Sequence, residues 1–255
     1  NNPYDYMESL ANRPKIKIAS KPVLISNTPN PDDVIIKSSI MYHFQCSEQE
    51  AKQIMEESEK IDPEYKAKSM NIILHKEERR ELEQVSFTFQ IPISLSILTH
   101  LTRHRMHSLL IPEFTPLWDF NNFIIPATIQ AKSELKNIFI NAQKENMKIF
   151  EEFKNSNVSD EDLIYFYLGC QMLNVVTTMN GRTLQWILHL RCCNKAQWQI
   201  RNIAKELAKQ VSSVAPLLGK GLGPTCMTDL VCYEGKECCG LINSLLENRT
   251  VEKIK

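Results

Sequence analysis

Glycine is scarce in this chain, 7 in 255 residues, and neither GxGxxG nor GxxxxGK occurs. The two common glycine-rich cradles for nucleotide phosphates are therefore not expected. Neither sign of charge is in excess, 30 Lys+Arg against 30 Asp+Glu, which argues against a nucleic-acid polymer as partner. No apolar run approaches the roughly 18 residues that mark a membrane span, and no secretory leader pattern opens the chain. The first residue is Asn, so an initiator Met is expected upstream. HExxH and CxxC are both missing. Eight cysteines without a leader point to reduced thiols in a cytoplasmic protein rather than a disulfide framework.

What is present suits one large domain or two small ones. Residues 1–20 are polar, carry Pro3 and Pro14, and read as an arm. Lys21 to Ser26 reads as a strand, closed by the turn signal Asn27-Thr28-Pro29-Asn30-Pro31. Asp32 or Asp33 is expected to cap a helix through about Tyr42, and Ser47 with Glu50 forms a capping box for the next. Glu64 to His75 reads as helix, Glu77 to Glu83 as a charged loop, and Val85 to Ile91 as a half-buried strand by its alternation. Ala127 to Lys154 reads as one long helix, and Ser159 opens another to about Leu173. A Gly- and Cys-rich tail occupies 219–255.

The densest chemistry is Arg103-His104-Arg105-Met106-His107-Ser108. Leu98, Leu101 and Leu109 fall at helical spacing around it, which predicts a helix from Ser96 to Leu109. Such a helix puts Arg103 above His107 and His104 above Ser108. Cations this close repel unless an anion or carboxylate neutralises them, and guanidinium forks suit phosphate and carboxylate. The plainer alternative is a solvated face paired with Glu81 or Glu83. A third reading takes His100, His104 and His107, at i, i+4 and i+7, as metal ligands, although the two arginines oppose a dication. Beyond it, Pro112 and Pro116 end any helix, leaving a loop beside a rigid element.

A second polar cluster lies downstream: Asn180-Gly181-Arg182, then Arg191, then Ala196-Gln197-Trp198. Asn180, Leu184, Leu188 and Arg191 are spaced to share one helical face, the first and last differing by only about 20° around the axis. The alternative is a helix with polar ends. Cys192-Cys193-Asn194 is expected to break or kink it. In the tail, Cys226, Cys232, Cys238 and Cys239 are spaced so that thiolates could close on zinc, or they are simply reduced, partly buried thiols.

Taken together, Arg103-His104-Arg105, Ser108, the strand ending in Phe87-Thr88-Phe89 with Glu83 before it, and the later block Asn180-Gly181-Arg182, Leu190-Arg191 and Ala196-Gln197-Trp198 resemble the flavin-dependent thymidylate synthases. The resemblance runs through most of residues 25–240. It implies an α/β fold of α+β type, a helical part plus a mixed sheet, in a catalytic domain over 21–218. It implies a homotetramer with active sites between subunits. The implied reaction moves a one-carbon unit from methylene-tetrahydrofolate to carbon 5 of dUMP, with NADPH-reduced FAD supplying the hydride. On this resemblance Arg103, His104, Arg105, Glu83, Asn180 and Arg182 bind FAD. His100, Ser108, Glu113, Thr115 and Arg191 bind the nucleotide, with Arg191 as the catalytic residue.

Several positions depart from the family pattern. Leu110 stands where an asparagine is expected and Leu117-Trp118 where Arg-Tyr is expected. Asn174 occupies an expected arginine position, and His100 replaces a glutamine. The flavin positions are mostly kept while two phosphate-binding cations are gone, each a loss of about 1.5–3 kcal/mol. That pattern implies the alternative of an FAD-dependent relative acting on another small molecule, in specialised metabolism. A flavin-free histidine/cysteine metalloprotein is a further alternative.

Overall fold

The computed structural model describes residues 6–7, 16–113 and 120–254, with side chains through residue 247. In chain order the elements are β1 (Val23–Asn27), α1 (Pro31–Phe44), α2 (Glu48–Ile61), α3 (Tyr65–His75), a 3-10 turn (Arg80–Gln84), β2 (Ser86–Ser94), α4 (Leu95–Thr102) and β3 (Ser108–Leu110). Then come α5 (Ala127–Gln130), α6 (Ser133–Lys154), α7 (Asp160–Leu163), β4 (Met172–Asn180), α8 (Gly181–Arg191), α9 (Trp198–Val214), α10 (Pro216–Gly219), α11 (Thr225–Thr228) and α12 (Leu241–Ile254). The chain divides into two compact units. The larger holds 21–93, 97–111 and 175–255, and the smaller 1–20, 94–96 and 112–174.

The α/β class is as expected, helices with a four-stranded sheet in the order β1-β2-β4-β3, but the sheet is antiparallel where a mixed one was expected. Both edge pairs are antiparallel, with Val23 opposite Gln90 and Ser108 opposite Thr178. β2 alternates as its sequence demands, burying Phe87, Phe89, Ile91 and Ile93 completely. In the larger unit β4 buries Val175, Thr177 and Met179, while α8 and α9 bury Leu184, Leu188, Ile203 and Leu207. Each such apolar side chain stabilises the fold by about 1.5–3 kcal/mol.

Local signals account for the helix starts. The Ser47–Glu50 capping box forms in both directions. Asp32 does something else: its carboxylate accepts the N–H groups of Leu217 and Leu218 at 2.8 and 2.9 Å, capping α10 rather than α1. Pro31 instead starts α1, where a missing N–H costs nothing.

Three further expectations are corrected. The segment Ser159 to Leu173 is not one helix. Ser159 caps it through Asp162 N–H, but α7 lasts a single turn, and Met172 onward is the strand β4. β-branched Val175-Val176-Thr177-Thr178 with alternate burial is the reason. Ala127 to Lys154 is broken at Lys132, whose backbone is extended and separates α5 from α6. The basic helix predicted to Leu109 stops at Thr102. In the smaller unit Phe120, Phe150 and Leu163 form a separate core, with Phe120 and Phe150 ring centroids 4.5 Å apart.

Candidate active site

The basic triplet sits in a turn between α4 and β3, not on a helix. His104 N–H donates to Leu101 O at 3.1 Å, closing the last turn of α4. His107 then fastens the turn to the sheet: its Nδ1 lies 2.7 Å from Thr177 Oγ1 and its Nε2 3.3 Å from Leu101 O. Thr177 Oγ1 donates to Ser108 O at 2.9 Å, so it accepts from His107 Nδ1–H. The β4 hydroxyl and the helix-terminal carbonyl thus flank this ring and fix its place, and His107 has a structural role. With the helix ended at Thr102 and His107 turned to Thr177, His100, His104 and His107 do not share the helical face on which the metal reading of that triplet rested. Among the described residues, no three His, Cys, Asp or Glu side chains already stand at coordinating distances.

The second cluster is built at the β4–α8 junction. Asn180 is the N-cap of α8, its Oδ1 accepting Thr183 N–H at 2.8 Å. Gly181 N–H reaches Val85 O at 3.0 Å, and a Cβ on Gly181 would lie 2.7 Å from Leu82 O. Glycine is needed here for close approach to the turn that carries Glu83. Glu83 Oε1 in turn accepts from Arg182 Nη1 at 2.5 Å, which aims and neutralises that guanidinium. Asn180 itself is not a helical residue, so the shared helical face expected for Asn180 and Arg191 is replaced by a cap at one end and a guanidinium at the other. The break at Cys192-Cys193-Asn194 is as expected.

Eleven residues of α8 carry the chain to Arg191. There Arg191 Nε donates to His104 Nε2 at 3.1 Å, joining the two clusters. Burial, then Arg191, then His107 push His104 down to about 4. The ring is therefore neutral at pH 7 and accepts through Nε2, which puts its proton on Nδ1. Burial and then Arg103 lower Arg191, which stays charged at neutral pH. His100 is lowered by burial, then by Arg191 and Arg103.

These shifts share one cause besides burial: positive charges crowd together. Among the described residues, no carboxylate pairs with Arg103, Arg105 or Arg191. The acids proposed by the solvated-face alternative are engaged elsewhere, Glu81 with Lys76 and Glu83 with Arg182. Arg103 and Arg105 are exposed, His100, His104 and Arg191 partly buried. Such a set is prepared for an anion brought from outside.

The whole β1-to-α10 span, residues 23–217, matches the family described as Thymidylate synthase complementing protein. The chain belongs to this family. It is 32% identical over 237 residues to the flavin-dependent thymidylate synthase of Clostridium tetani, covering 85% of this chain and 92% of the relative. It is 28% identical over 224 residues to that of Geobacter sulfurreducens, covering 86% and 94%. It also resembles the solved UMP/dUMP methylase PolB from Streptomyces cacaoi bound with 5-Br dUMP. That likeness has a TM-score of 0.64 at 14% identity over 81% of this chain and 96% of the other, and it concerns the fold. The protein is an enzyme of the flavin-dependent thymidylate synthase type.

Of the residues expected to act in this family member, the larger unit gathers His100, Arg103, His104 and Arg191 into one field. Ser108 opens β3 and is exposed. Glu113 is exposed and falls in the smaller unit, while Thr115, Leu117 and Trp118 lie outside the described residues. Sequence reasoning missed Thr177 and Gly181 as the parts that hold the loop and the α8 start. For Thr177 the only signal was its place in the period-two run of β4.

Proposed function

We propose that this chain transfers a one-carbon unit from methylene-tetrahydrofolate to carbon 5 of a uridylate such as dUMP, with FAD reduced by NADPH. The contact of Arg191 with His104, amid cations lacking carboxylates among the described residues, carries this reading. That donor set fits the pyrophosphate and the negatively charged reduced ring of FAD. When bound, FAD supplies hydride chemistry. Arg103 and Arg105 offer guanidinium forks to its phosphates, with Asn180 and the Glu83-oriented Arg182 beside them. Neutral His104 contributes a ring nitrogen without adding charge. Arg191, held by His104, binds the pyrimidine edge and favours negative charge there, which activates carbon 5. His100, Ser108, Glu113 and Thr115 complete the nucleotide contacts. The named relatives support the flavin, and the 5-Br dUMP ligand of the Streptomyces methylase supports a uridylate. Family membership supports a homotetramer with active sites between subunits, in the cytoplasm. No helix among the described residues is long and apolar enough to cross a membrane.

A second reading, a different small-molecule substrate, is favoured by Asn174. It stands at an expected phosphate-binding arginine, and its amide is committed to the backbone, Nδ2 to Lys17 O at 2.9 Å and Oδ1 to Ala19 N–H at 3.0 Å. Leu110, at an expected amide position, is 70% exposed.

The test is tritium release from carbon 5 of labelled dUMP with methylene-tetrahydrofolate and NADPH. Release supports the first reading. A yellow protein that releases none supports the second. A protein that cannot be reconstituted with FAD overturns both.

A further inference from the structure

The tail cysteines are not scattered. A cavity of about 370 Å³ is walled by Cys193, Cys226, Cys232, Cys238 and Cys239, with Lys205 also in its lining. Cys193 comes from the link between α8 and α9, more than thirty residues before the tail cysteines in the sequence. Cys226 is within electrostatic reach of Cys193, Cys232 and Cys239, and Cys193 within reach of Cys239. Cys232 lies beside the Cys238 thiol.

The sulfurs are also surrounded by donors. Lys195 N–H donates to Cys193 Sγ and Gly240 N–H to Cys238 Sγ, both at 3.4 Å. The Glu234 backbone lies close to Cys232 and the Leu241 backbone close to Cys239. Asn194 Nδ2 adds a donor to Cys239 at 3.5 Å. In each backbone case the N–H belongs to the residue two positions on. A neutral thiol gains little from such donors, whereas a thiolate bound to a metal needs them to spread its charge. Backbone N–H groups directed at cysteine sulfurs around one cavity are the kind of outer shell that a thiolate site uses.

We propose that Cys193, Cys226, Cys232 and Cys239 bind one zinc ion, with Cys238 as a neighbouring donor. The reaction is Zn²⁺ plus four thiols giving a tetrathiolate complex and four protons released to solvent. Without metal the thiols line the cavity short of coordinating distance, so binding draws them inward by side-chain rotation. The Cys193 thiol gives up its present contact with Glu234 Oε1, at 3.5 Å, in doing so. Lys205, among the lining residues, offsets part of the complex's net negative charge, while Lys195 is paired with Glu237 at 3.0 Å. The site would clip the tail to the link only two residues beyond Arg191, fixing the C-terminal end of α8.

Elemental analysis of the full-length protein purified without chelator tests this, with about one zinc per chain expected. After chelation, Co²⁺ titration should give thiolate-to-cobalt charge-transfer absorbance that saturates at one equivalent and is displaced by Zn²⁺. Cys193→Ser and Cys232→Ser should each lower zinc content at least tenfold, while Cys46→Ser leaves it unchanged. The wild-type cobalt titration does not depend on the variants folding. No charge-transfer absorbance with cobalt, undiminished zinc in Cys193→Ser, or an iron–sulfur spectrum in place of zinc would each overturn the proposal.

Discussion

Arg191 and His104 are 87 positions apart in the chain and 3.1 Å apart in space, the guanidinium Nε–H pointing at the imidazole lone pair. Two cationic residue types can meet so closely because the histidine, pushed down to about 4, is uncharged at neutral pH. The contact leaves the rest of the Arg191 fork to a substrate. Arg191→Ala is therefore expected to reduce turnover by about 10²–10³, the scale for removing one charge-stabilising donor. FAD should remain bound, because the flavin-binding guanidiniums of Arg103 and Arg105 stay in place. Loss of flavin absorbance from the purified variant would contradict this division of labour.

Arg103 belongs to the same field. It is exposed, and its positive charge lowers both His100 and Arg191. A guanidinium of that kind contributes about 1.5–3 kcal/mol to an anion through a charge-assisted bond. Arg103→Ala should weaken FAD binding about 10- to 150-fold, read by fluorescence titration, and the wild type should lose affinity faster than the variant as salt is raised. Equal affinity in the two proteins would remove Arg103 from the flavin site.

Not all of this site could be read from residue order. The Ser47–Glu50 cap and the alternation of Phe87, Phe89 and Ile91 depend on neighbours in sequence, so they were legible. The helical period of Leu98 and Leu101 was real but stopped where His107 turns to Thr177, 70 positions away. No local pattern carries that information. β4 hid behind a genuine cap at Ser159, whose helix ends after one turn, although its Val-Val-Thr-Thr run was a strand signal. The pairing of the two clusters was anticipated from the family resemblance. The joining of Cys193 to the tail thiols was not, since spacing alone shows only the tail.

His104 also makes the fold sensitive to acid. Its folded value is about 4, against 6.5 for the free side chain. Between those values the unfolded chain binds more protons, so stability rises with pH across the window. The contribution is complete above about pH 6.5, is lost as pH falls toward 4, and changes no further below that. At about 1.4 kcal/mol per unit, and discounting for a partly exposed ring, the loss is about 1–2 kcal/mol. Urea unfolding of the flavin-free protein at pH 7 and pH 4.5 should show it. Carboxylates contribute to the same window, so the informative quantity is the difference from His104→Gln, whose stability should fall less. Equal losses in both proteins would mean that the ring is not held neutral in the fold.

Gly181 controls where α8 begins and therefore where Arg191 ends up. Its Cβ position lies 2.7 Å from Leu82 O and 3.1 Å from the Val85 side chain. Leu82 is fully buried, and Val85 O accepts Gly181 N–H. The backbone that blocks the new methyl is thus the same backbone that anchors the helix start, and neither partner can retreat cheaply. Overpacking of this kind costs about 1–3 kcal/mol, and the N-cap of Asn180 next to it would be disturbed as well. Gly181→Ala should lower the urea midpoint at unchanged m-value and reduce flavin retention, since Arg182 moves with the backbone away from Glu83. A variant with wild-type midpoint and flavin content would show that the 3-10 turn at 80–84 yields more readily than its burial implies.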